Sequence, residues 1–96
     1  MTDYRAKMIG LAHTFPSLVG KPGIEPWNPD VLDEWLMTGG GVTAGSAMAG
    51  RFVLHVWNSD PGTWKSGMFN LREAMSRWDA AHNEAMLAFL ANPFWP

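Results

Sequence analysis

Apolar side chains at Tyr4, Met8, Leu11 and Phe15 recur at i, i+4, i+7 and i+11, the spacing of a single helical face. Pro16 stops that pattern, so a first helix is predicted over about 3–14. Between Pro16 and Pro29, the breakers Gly20, Pro22, Gly23 and Pro26 forbid a regular element. Leu18, Val19, Ile24 and Trp27 fall in the same stretch, which argues for an ordered loop. Asn28 before Pro29 and Asp30 joins a good N-cap to the proline tolerated in a first turn. Val31, Leu32, Trp35 and Leu36 then form one apolar face, and this second helix ends near Met37. Each glycine of Gly39-Gly40-Gly41 would cost ~1 kcal/mol in a helix relative to alanine, so the triplet is read as a tight reversal or hinge.

Thr43 to Trp57 argues in two directions. Ala44, Ala47, Met48 and Ala49 favour helix, whereas Phe52, Val53, Val56 and Trp57 also suit a buried strand. A helix is favoured because Thr43 supplies a cap and an isolated two-stranded ribbon is marginal in water. The alternative is an α+β domain in which Arg51–Trp57 pairs with Trp64–Phe69 across Asn58-Ser59-Asp60-Pro61-Gly62. With the helix, residues 58–69 become an irregular surface loop. Asn70 followed by Glu73 resembles a capping box, with Phe69 placed to staple the first turn. Leu71, Met75, Trp78, Ala81, Ala85 and Phe89 then repeat every three or four residues, opposite Arg72, Glu73, Arg77, Asp79, Asn83 and Glu84. A fourth helix is predicted over about 71–91. The aromatic ending Phe94-Trp95 is expected to fold back onto the domain, since a large ring left in solvent wastes ~200 Å² of apolar surface. No internal repeat is present. The expectation is one all-α domain over residues 1–96, a compact bundle of about four helices.

Composition narrows the function classes. The chain has 96 residues, 47% of them hydrophobic, enough for one core and too few for two. Seven basic and nine acidic side chains give a net charge of −2 without any run of one sign, which disfavours nucleic acid and anionic membrane as partners. The absence of cysteine removes disulfides, thiolate nucleophiles and thiolate metal sites. The N-terminus lacks the continuous apolar stretch of a signal peptide, and the longest apolar run, Phe52–Trp57, falls far short of the ~20 residues of a membrane span. A cytoplasmic protein beginning at Met1 is the expectation.

Candidate chemistry centres on three histidines, His13, His55 and His82, all on predicted helices. Asp79 and His82 stand three apart and project to neighbouring positions of one face, as carboxylate and imidazole ligands do in helical bundles. A mononuclear metal site of His13, His55, His82 and Asp79 is therefore the alternative functional reading. Glu25, Asp30, Asp33, Glu34, Glu73 and Glu84 read as solvated and do not extend it. Arg51 and His55, four apart, suggest either an anion clamp or an arginine reaching out from the core edge. No serine sits in a nucleophile elbow, and the glycine triplet lacks a Walker lysine or a preceding strand, so neither hydrolysis nor nucleotide binding is supported. No enzymatic activity and no cofactor are expected. Gly41, Gly45 and Ala49 would give a smooth stripe for close helix approach, flanked by Trp35 or Trp78.

Six tryptophans complete the picture. Trp35, Trp57 and Trp78 fall on inward faces and are assigned to packing. Trp27, Trp64 and Trp95 lie outside the regular elements, where a large ring either pins its loop or meets a partner. The resulting expectation is a protein–protein interaction module or self-associating subunit that contacts its partner through Trp27, Trp64, Phe94 and Trp95.

Overall fold

The computed structural model describes residues 3–60 and 62–96. Pro61, within the hairpin turn signal, and the Met1 start of the chain lie outside the described residues. The order is α1 (Tyr4–His13), a 3-10 turn (Pro16–Leu18), α2 (Pro29–Thr38), α3 (Ala44–Trp57), α4 (Leu71–Arg77) and α5 (Ala80–Ala91). The fold is all-α, as expected, with five α-helices among the described residues rather than about four.

These elements bear out the helix favoured over Thr43–Trp57 and correct the single helix expected over 71–91. Arg51–Trp57 is the second half of α3, so the hairpin alternative does not form. Thr43 and Ser46 close a reciprocal capping box, in which Ser46 N donates to Thr43 Oγ1 at 3.1 Å and Thr43 N donates to Ser46 Oγ at 2.8 Å. Helix over the whole segment then hides Met48, Phe52, Val53 and Val56. The continuous helix predicted over 71–91 instead breaks at Trp78 and Asp79, both extended. The carboxylate of Asp79 accepts the His82 amide at 3.0 Å and starts a new helix. Apolar periodicity runs through this break and conceals it. The break also turns the short α4, which buries Ala74 and leaves Leu71 and Met75 exposed, although both were expected to face inward.

Every helix begins on a side-chain cap: Asp3, Asn28, Thr43, Asn70 and Asp79 each accept a first-turn amide. α3 is the hub, packing against α1, α2, α4 and the 3-10 turn. The close approach falls at Gly50 rather than on the expected stripe, since a Cβ at Gly41 would meet nothing within 4 Å and one at Gly45 nothing nearer than 3.9 Å. A Cβ at Gly50 would lie 2.7 Å from Leu36 Cδ1 on α2. At Gly45 the Trp78 indole comes down and donates Nε1 to the glycine carbonyl at 3.0 Å. Around α3 the core is aromatic. Phe52 meets Phe15, Phe69 and Phe89 with ring centroids 5.7, 5.3 and 5.7 Å away, and Phe15 meets Trp78 at 5.4 Å. The tilted and edge-on geometries are those ring quadrupoles prefer.

The irregular stretch 58–70 is locked by three ties. Trp64 donates Nε1 to the carbonyls of Leu54 and Asn58 at 3.1 and 2.9 Å, satisfying the end of α3. Arg51 donates Nε to the Ser66 carbonyl at 2.9 Å. Asp33, read above as solvated, is instead buried, and its two carboxylate oxygens accept the amides of Lys65 and Ser66 at 3.0 and 2.9 Å. A buried carboxylate needs such donors, and here successive loop amides supply them.

Candidate functional site

The break before α5 brings together two neighbouring polar side chains, Asp79 and His82, and a third, Ser17, from far upstream. Asp79, as N-cap, presents Oδ1 to both the amide and the ring of His82, with Nδ1 at 2.7 Å. Those bonds, the amide first and the ring second, hold the Asp79 carboxyl below its ordinary value of 3.8. An ionised carboxylate only accepts, so His82 Nδ1 carries a proton, and whenever the ring is neutral Nε2 is an acceptor. The partner of Nε2 is the Ser17 hydroxyl, 2.7 Å away and 65 residues upstream in the 3-10 turn. With the ring neutral, Ser17 donates to His82 and His82 to Asp79.

Hydrophobic packing fixes the middle member. The His82 side chain is 10% exposed, with its ring between Phe15 and Trp78, both at 5.9 Å between centroids. Asp79 faces solvent and Ser17 is half-buried. A groove of about 210 Å³ runs along the same seam between α1 and α5, lined by Leu11, Thr14, Ala85, Phe89, Asn92 and Phe94 among others. Ala85 lies three residues after His82 on α5, a spacing that makes neighbours on a helix.

The four residues of the alternative metal site do not converge. His13 Nε2 pairs with Glu25 Oε2 at 3.3 Å on the surface. His55 donates Nδ1 to the Arg51 carbonyl one turn back at 2.8 Å. Only His82 and Asp79 meet, and among the described residues no group of three or more His, Cys, Asp or Glu is arranged to hold a metal ion. Each imidazole is taken up by a local partner. Arg51 likewise grips a backbone carbonyl, so it ties a loop rather than clamping an anion.

The expected contact residues divide. Trp27 and Trp64 are 7% and 9% exposed, so both are loop pins, correcting their assignment to a partner surface. Trp27 packs edge-on against Trp57 at 5.6 Å, and Trp64 caps α3. Phe94 is half-buried, 5.3 Å from Phe89 and 6.3 Å from Tyr4, so the tail does fold back. Trp95 leans on Phe89 at 5.4 Å yet stays 62% exposed.

Two features of these surfaces are not among the sequence expectations. The Ser17–His82 contact joins distant segments and leaves no spacing signal. The exposure of Leu87 and Leu90 was legible, since they fall between the inward positions of the α5 pattern. Comparison with known proteins finds no matching family model, no similar curated protein and no matching solved structure. Among the described residues, no helix is long and apolar enough to cross a membrane.

Proposed function

We propose that this chain is a small protein–protein interaction module whose contact surface is the outer face of α5 together with Trp95. The observation that carries the reading is that α5 is apolar on both sides. Ala85, Met86 and Phe89 are buried inward, while Leu87 and Leu90, three apart and adjacent on the helix, are 60% and 52% exposed. The outer face of a surface helix is normally polar, so this exposed leucine pair is surface that a partner would cover. Covering the exposed half of each leucine is worth ~1 kcal/mol, and an exposed tryptophan is a frequent hot-spot residue. The occupant is another apolar protein surface, either a second copy of this chain or a different protein.

Light scattering over a wide concentration range, paired with affinity capture, tests the reading. The expected result is an assembly, or a specific captured partner, that is lost in Leu87→Gln/Leu90→Gln. A monomer at every concentration with no partner sensitive to those substitutions removes it.

A further inference from the structure

We infer that Ser17, His82 and Asp79 form a nucleophile relay that accepts short acyl groups from activated esters. The inference is independent of the interaction reading. Its basis is the chain of short contacts, Ser17 Oγ to His82 Nε2 and His82 Nδ1 to Asp79 Oδ1, each 2.7 Å, which runs from serine to carboxylate when the imidazole is neutral. A serine hydroxyl is a weak nucleophile until a neighbouring base takes its proton, and a base works best when a third group fixes its tautomer. Asp79 does so as a positioning residue, and the Phe15 and Trp78 rings prevent His82 from turning away. Ser17 and His82 are the catalytic residues.

The reaction balances without a cofactor. Ser17 Oγ forms a bond to the acyl carbon as its proton passes to His82 Nε2. The carbon–oxygen bond to the leaving alcohol then breaks, and that alcohol departs with the proton. The product is an acyl ester of Ser17. Water, deprotonated by the same nitrogen, attacks this ester, releases the carboxylic acid and restores the serine. The groove of about 210 Å³ between α1 and α5 has apolar walls of Leu11, Ala85 and Phe89, which suit a short apolar acyl chain.

The test treats the full chain with a fluorophosphonate, which loses fluoride on attack by serine, and with p-nitrophenyl acetate, butyrate and dodecanoate. Labelled residues are mapped by mass spectrometry. The expected outcome is a single adduct on Ser17, absent in Ser17→Ala, formed ~100-fold more slowly in His82→Gln, with short esters preferred. Asp79→Asn retains a good N-cap, so an unchanged circular dichroism spectrum with slower labelling and an altered pH–rate profile separates positioning from capping. Leu87→Gln/Leu90→Gln is expected to label like the parent, which keeps this test distinct from that of the interaction surface. Folded protein unlabelled at Ser17, or labelled equally well in His82→Gln, overturns the proposal and leaves the relay as a cap and tether.

Discussion

The loop 58–70 and helix α5 invert the usual relation between regularity and order. The loop has no repeating structure, yet Asp33, Arg51 and Trp64 reach into it from α2, from α3 and from within, satisfying backbone groups at both ends. α5 is regular throughout and satisfies its own backbone, but Leu87 and Leu90 stand uncovered. The comparison separates two needs of a chain. Backbone polar groups must find partners wherever the chain runs, and side-chain ties supply them in the loop. Apolar area must find cover, and α5 offers more of it than 96 residues can hide.

The heaviest blow to this contrast is Asp33→Ala. It strips an acceptor from two loop amides and is expected to cost about 3 kcal/mol or more, since bonds to a charged group contribute about 1.5–3 kcal/mol each. Urea unfolding reads the loss, and hydrogen exchange at Lys65 and Ser66 localises it. Near-parent stability would mean that packing alone orders the loop.

Next comes Trp64→Phe, which keeps an aromatic ring in the pin while deleting the donor shared by Leu54 and Asn58. The loss of that bond and of some ring volume is expected to cost about 1–2 kcal/mol. The midpoint should fall without a change in slope, because the same surface is exposed on unfolding. A larger loss with an altered slope would show the loop unfolding apart from the rest.

On the other side of the comparison, Leu87→Gln/Leu90→Gln should leave monomer stability within ~0.5 kcal/mol of the parent, as exposed substitutions do. Its effect should appear in association alone. A substantial loss of stability in the monomer would place these leucines against the core and dissolve the contrast.

Local rules explain what was legible in the sequence. Asn28, Thr43 and Asn70 announced helix starts, and each caps as expected because capping involves residues only two or three apart. The break at Asp79 used the same chemistry but was masked by apolar spacing that ran unchanged from Leu71 to Phe89. Asp33 and Ser17 escaped for another reason. Their partners lie 32 and 65 positions away, and nothing in the neighbouring residues marks a carboxylate or hydroxyl that will meet a distant segment. Trp27 and Trp64 were rightly recognised as pins or contacts, but only burial separates the two roles.

The smallest expected effect concerns the polar end of α5, which resembles the tied loop more than it resembles the apolar ridge on the same helix. The Asp79 carboxyl has a lower pKa folded than its ordinary value of 3.8 because the His82 amide, and then its ring, bind the charged form. Folding therefore favours the ionised group, and its contribution is present above the unfolded pKa of about 3.9 and fades as pH falls through the lower folded value. Asp79→Asn keeps the cap and removes only the charge. Its deficit in urea midpoint should be modest near neutral pH and should close as pH is lowered below about 4. A deficit that stays constant down to acid pH would assign the effect to hydrogen-bond geometry, and the charged tie at the start of α5 would then add nothing that asparagine does not supply.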